Sequence, residues 1–334
     1  MMRDTQERIE RDKFSGPPSM KLPVGPDHVG RIIWNAIHFR PKTETFHEFL
    51  INVLKWTVGQ KWYESQVKMA PDERHIIVKW CYAFGHLTQT LTPPDHKPGQ
   101  VFFAPLTGEV KELLVLADDV YRLQLLRKLP RKLVQRLRSY EAFQGARYEI
   151  AVAATFVRCG FDIEWVEEKA KKHCDFNATH KGTGETIAVE TKSRHRPGTL
   201  NQEGETPSPE MLRADVQSLF NQALQQNPGD RPFAIFIDVN LPHEPEKGWP
   251  QKRWVVDVQQ LLKKYPQPTN ENPSAYTFLV FSNFAWHYEG TNTAAGSEAI
   301  LIVNNPTKHP LNDPRTFYAV LGSLNNYGTV SNDE

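Results

Sequence analysis

Residues 145–196 read GARYEIAVAATFVRCGFDIEWVEEKAKKHCDFNATHKGTGETIAVETKSRHR, and this stretch decides the fold. Its period changes along its length. Up to Arg158 the apolar residues recur at helical spacing, and Gly160 stands where a helix closes. Phe161–Val166 alternates and reads as a strand. Residues 173–179 read as a second strand, and Thr186–Lys192 as a third. Between them Lys181-Gly182-Thr183-Gly184 is a hairpin turn, with glycines where positive φ is needed. Side chains alternate across a strand. Glu190 and Lys192 therefore share a face with Ala188, while Ile187, Val189 and Thr191 take the other face, toward the core.

The hairpin sets Asp175 on the strand beside Glu190. Two carboxylates so placed can hold one Mg²⁺ or Mn²⁺, a hard cation that prefers oxygen ligands and keeps several waters. The backbone carbonyl of Thr191 is a further candidate ligand. Lys192 reaches the same place and can orient a water or stabilise a pentavalent transition state. Glu149 adds a third acid. It falls on the helical stripe Ala142, Ala146, Glu149, Ala153, Phe156, where a lone carboxylate is costly unless it is paired or metal-bound. The plainer alternatives are an exposed Glu190–Lys192 ion pair, and a rotated helix in which Glu149 pairs with Arg147 or another neighbour. Glu141 is the second choice for the third acid.

Charged residues surround this cluster. Arg194 and Arg196 follow Lys192, and Lys169, Lys171 and Lys172 precede Asp175. A cationic rim of this kind suits backbone phosphates as well as solvent. His173, His180 and His195 lack the spacing of a zinc motif and read as surface or phosphate-contacting residues. Beyond the rim, residues 196–210 form a loop and 211–226 a helix, on which Gln217 is expected to support a ligand or touch substrate, with Asp215 a weaker case. Residues 232–239 (PFAIFIDV), 275–284 and 299–303 read as further strands, and 254–264 as a helix. The order helix, three strands, helix, strand gives an α/β sandwich around a mixed sheet.

Upstream, residues 1–138 read as mainly helical, so the expected division is 1–138 and 139–334. Residues 1–20 read as a loose arm and 28–40 as a short helix or strand. Thr43 or Thr45 is placed to cap a helix, and Asp72 to start the next one. Residues 122–138 carry seven basic residues and no acid, among them Arg131, Lys132 and Arg136, with Pro130 as an interruption. Their basic face is solvated, or a phosphate contact for which Arg131 and Lys132 are the candidates, or, as the least favoured alternative, a membrane-surface face.

The 334 residues suffice for two domains, and the 40 Lys and Arg against 39 Asp and Glu leave the nucleic-acid question to local clusters. Cys81, Cys159 and Cys174 are too scattered for a zinc site or a disulfide framework, so reduced thiols are expected. No apolar run matches a signal peptide or a membrane span. A cytoplasmic protein is the expectation. A phosphate-binding loop, an HExxH pair and a serine triad are all missing.

Asp175, Glu190-Thr191-Lys192 and the upstream Glu149 together resemble the PD-(D/E)xK nuclease superfamily, whose fold is the restriction-endonuclease-like sandwich. The resemblance covers segments 141–239, with Cys174 in place of the proline before the aspartate. It implies an Mg²⁺-dependent nuclease acting on DNA ahead of RNA, in DNA processing, repair or defence against foreign DNA. The expected catalytic residues are Glu149, Asp175, Glu190 and Lys192, and the expected phosphate contacts are Lys172, Arg194, Arg196, Arg131 and Lys132. The helical N-terminal region would serve DNA binding, regulation, or contact with a partner protein or a second copy. The superfamily also contains inactive members, so a catalytically silent nucleic-acid- or protein-binding subunit on the same fold is the alternative.

Overall fold

The structure is a computed structural model that describes residues 21–24, 27–33, 36–97, 104–166 and 173–330. The expectations for residues 1–20 and for Lys169, Lys171 and Lys172 lie outside those residues.

The chain opens with an antiparallel sheet of β1 (Lys21–Val24), β2 (His28–Ile33) and β3 (Ala36–Pro41). The N-terminal region is therefore not purely helical, and 28–40 is a hairpin. Helices α1 (Phe46–Val58), α2 (Gln60–Val67), α3 (Ile76–Leu91), α4 (Gly108–Leu125) and α5 (Arg131–Leu137) follow. Thr45 caps α1 in a reciprocal box with Glu48: each side chain takes the other residue's backbone N–H. His75, not Asp72, caps α3. Pro130 separates α4 from α5, and Arg127 turns the chain there at φ 56°.

The second half builds α6 (Phe143–Arg158), β4 (Phe161–Trp165), β5 (Phe176–His180), β6 (Thr186–Ser193), α7 (Gln217–Gln225) and β7 (Phe233–Asp238). After these come α8 (Arg253–Leu262), β8 (Phe278–Asn283), β9 (Glu298–Val303) and α9 (Pro314–Asn325). The six strands lie in chain order in one mixed sheet. The β4–β5, β5–β6 and β8–β9 pairs are antiparallel, and β6–β7 and β7–β8 are parallel. Strands β6 and β7 are buried on both faces, as parallel strands under helices must be.

Two cores result. On one face Phe156 of α6 packs edge-on against Phe161, Phe176 and Phe236, with Ile187 and Val189 in the same cluster. On the other, Ala188, Ile235 and Ile237 meet Phe220 of α7 and Trp254 and Val258 of α8. The first core also takes in Phe49, Leu113 and Tyr121 of the N-terminal helices, so the break expected near 138 falls inside one continuous apolar cluster. Cys159 and Cys174 are buried, Cys81 is half-buried, and all three are free thiols. Among the described residues no helix is long and apolar enough to cross a membrane.

Candidate active site

Strand β6 carries Glu190 and Lys192 into the middle of the sheet. The pairing Phe176↔Val189 is the last in the β5–β6 ladder on this side. Continuing that register would set Cys174 opposite Thr191. Instead the Asp175 carboxylate takes the vacated position. Thr191 donates to Asp175 Oδ2 from its backbone N–H at 2.7 Å and from its hydroxyl at 2.7 Å. Both bonds end on Oδ2, so Asp175 is held rigidly at the ladder's fork with Oδ1 turned free of them. Thr191 directs its amide and carbonyl toward β5, and its carbonyl lies past the last paired residue. Asp175 and Thr191 thus meet at one point, and the charge of Asp175 reaches the neighbouring Glu190 carboxyl.

Glu190 is 2% exposed. Its Oε1 accepts from Lys192 Nζ, while Oε2 is buried and takes no hydrogen bond among the described residues. A buried carboxylate oxygen left without a donor is destabilising by about 1–3 kcal/mol or more. Burial, and next the charge of Asp175, push the Glu190 carboxyl up to about 8, against the pull of Lys192. The ion pair with Lys192 is therefore not a solvated surface pair. Its Glu190 side is inside the protein and its Lys192 side chain is 24% exposed.

Glu149 enters from α6. Burial and the Asp175 charge raise it to about 7, and Arg136 and Lys192 draw it down. Its partner is neither Arg147 nor a helical neighbour but Arg136 of α5, which pairs with Oε2. Arg147 is turned the other way, onto Glu112 at 3.0 Å. Among the described residues no three His, Cys, Asp or Glu side chains converge closely enough to hold a metal ion between them. The donor set that is present, Asp175, Glu190 and the Thr191 carbonyl, fits a cation that takes one or two protein carboxylates and otherwise keeps water. That is the habit of Mg²⁺ rather than Zn²⁺.

The rim departs from expectation in several places. Arg196 is no phosphate contact. It is 5% exposed, and its guanidinium donates to the carbonyls of Asn240 (3.1 Å), Val239 (3.0 Å) and Arg213 (2.6 Å). Gln144, a polar side chain on the buried side of α6, explains this. It accepts from Arg196 N–H at 2.9 Å and donates to the carbonyls of Arg196 and Thr199, drawing the chain after β6 under the helix. Gln217 does not support the acids either. The helix starts six residues later than expected, Gln217 is exposed in its first turn, and Lys264 Nζ donates to its side chain at 3.0 Å. His180 is 0% exposed, packed at a tilt against the Phe161 ring at the far end of β5, which excludes the surface role. Arg194 pairs with Asp215 at 2.9 Å, and Arg131 and Lys132 are exposed on α5.

An open cleft of about 640 Å³ begins beside the acids at Arg194 and His195 and runs past Arg213, Asp215, Gln217 and Lys264. The acids themselves are outside its wall. Sequence reasoning missed Arg136 and Gln144, and the pairing of Arg136 with Glu149 spans a turn that no local pattern encodes. Comparison with protein-family models, with curated proteins and with solved structures returns no match.

Proposed function

We propose that this protein is a divalent-metal-dependent nuclease that hydrolyses phosphodiester bonds, with DNA as its substrate. One observation carries the reading. Glu190 is a buried carboxylate with one oxygen on Lys192 and the other without a donor, beside the anchored Asp175. Evolved interiors rarely tolerate such an oxygen unless a cation or proton is meant to meet it. The resemblance to PD-(D/E)xK nucleases supports the same reading. The order α6, β4, β5, β6, α7, β7 follows the helix, three strands, helix, strand of that fold.

A divalent cation at Asp175, Glu190 and the Thr191 carbonyl would neutralise phosphate charge and acidify a water. The chain's own groups do the rest. Asp175, fixed through Thr191, holds its free oxygen in place before any ligand arrives. Lys192, whose side chain is 24% exposed, pairs with Glu190. With a cation on Glu190 its ammonium would be available to orient the attacking water or to meet a phosphate oxygen. Glu149 holds Arg136, whose positive charge offsets its own beside the other acids. The exposed cations of α5 and the cleft that starts at Arg194 provide a path for the substrate strand.

The test is cleavage of plasmid, linear duplex and single-stranded DNA, and of RNA, in Mg²⁺, Mn²⁺ and EDTA. Lys192→Ala runs alongside. Cutting that requires metal and is lost in the variant supports the reading, and the substrate that is cut names the class. Binding by both proteins with cutting by neither favours the second reading, a catalytically silent binding subunit. That reading draws on the finding that, among the described residues, no three His, Cys, Asp or Glu side chains converge.

A further inference from the structure

Arg136 approaches the acids from α5, outside the sheet. Its side chain is 37% exposed, against 12% for the Glu149 side chain it pairs with. The pair uses Nη1. Nη2 lies over Gly145, where an added Cβ would stand 3.3 Å from it and 3.2 Å from His195 Nε2. Gly145 and Glu149 are one turn apart on the same face of α6. The glycine therefore lets the guanidinium and the His195 imidazole settle close over the helix, beside the carboxylate that holds the guanidinium.

A guanidinium presents five donors in a planar fork that matches two phosphate oxygens, and the Glu149 contact engages only one edge of it. The helix that carries Arg136 is amphipathic. Leu133 and Leu137 are buried, while Arg131 and Lys132 project outward, so positive charge continues from Arg136 to the surface. A pair that served only to fasten α5 to α6 would need neither a part-exposed guanidinium edge nor a neighbouring imidazole.

We propose that Arg136, with His195 beside it, clamps a backbone phosphate of the nucleic-acid strand next to the bond that is cut, and that Glu149 holds the guanidinium ready. This rests on the nuclease reading above and names the binding residues of that site. The ligand is a phosphodiester, recognised through its two non-bridging oxygens. Arg131 and Lys132 take phosphates farther along the strand.

The experiment measures binding of a fluorescent duplex DNA oligomer in EDTA over a range of salt, with thermal melting of each protein as control. Arg136→Gln is expected to weaken binding about tenfold and to flatten the slope of log K against log salt by about 1. Arg136→Lys restores the charge and the slope but not the fork, and recovers only part of the affinity. Gly145→Ala keeps every charge and displaces only the flexible ends of Arg136 and His195, so it weakens binding without lowering the melting temperature. Calorimetry with Mn²⁺ should find metal affinity in Arg136→Gln unchanged or higher, since Glu149 is released. If Arg136→Gln and Gly145→Ala bind DNA with wild-type affinity and slope while wild type cuts DNA, the clamp is refuted and the nuclease reading stands. If wild type neither binds nor cuts any nucleic acid, the nuclease reading fails and takes the clamp with it.

Discussion

Glu190→Gln separates a strained carboxylate from an ordinary ion pair. The folded protein raises this carboxyl from 4.5 to about 8. At about 1.4 kcal/mol for each tenfold change in proton affinity, the ionised group opposes the fold by on the order of 5 kcal/mol once pH exceeds 8. The sign follows from proton counting. Between pH 4.5 and 8 the folded state holds a proton that the unfolded state has lost, so stability is full below this window and falls as pH rises through it. Glutamine cannot ionise and still offers Lys192 an oxygen. It forfeits part of the Lys192 attraction, so it should return roughly half, about 2 kcal/mol, at pH 8.5 and nothing near pH 4.5. Urea unfolding at both pH values in EDTA measures this. Repeating it in Mg²⁺ completes the argument. Metal at a hundredfold excess over its Kd should stabilise wild type at pH 8.5 by about 3 kcal/mol and leave the variant unmoved. A wild type equally stable at pH 5 and 8.5, or a variant less stable than wild type at pH 8.5, would refute the claim that Glu190 awaits a cation.

Three further outcomes follow from named contacts. Arg196→Ala removes a buried guanidinium from three carbonyls and should destabilise the fold by about 3–5 kcal/mol, read as a lowered melting temperature rather than a changed salt slope in DNA binding. Asp175→Asn can still accept from Thr191 through its amide oxygen, so its stability should stay within about 1 kcal/mol of wild type while Mn²⁺ binding by calorimetry is lost. Thr45→Ala breaks the capping box of α1 far from the acids. It should cost about 1 kcal/mol in unfolding and leave cleavage unaltered.

How much of this was legible depends on whether the deciding contact is local. The alternation of β6 was, because Ile187 and Val189 enter one core and Ala188 the other, and a charged pair at 190 and 192 marks the same period. The start of α7 was not. Residues 212, 214 and 216 are buried and 211, 213 and 215 exposed, which is the period of extended chain. Leu212 and Val216 are four apart, a spacing that fits both periods, and the turn into the helix is made by Asp215 at φ 47°, a conformation no apolar pattern announces. Helix α9 was not legible either: Asp313 and Pro314 are a cap and a first-turn proline, but Val320 and Leu324 are its buried apolar residues, and one four-residue spacing is too short a pattern to mark a helix.

Arg196 shows the limit on sites. By sequence it is the second arginine after Lys192 and indistinguishable from Arg194. Its fate is set by Gln144, fifty-two residues earlier, which pulls its backbone under α6 and buries the side chain against carbonyls. Arg136 is the converse. Within a run of seven basic residues it looks interchangeable with Arg131, yet its position on α5 places it, and not Arg131, against Glu149. Charge identity was readable and charge placement was not, since placement is decided by how α5 and the chain after β6 pack on one helix, α6. That helix therefore sets both the third acid and the cation beside it, and a substitution at Gly145 tests the two together.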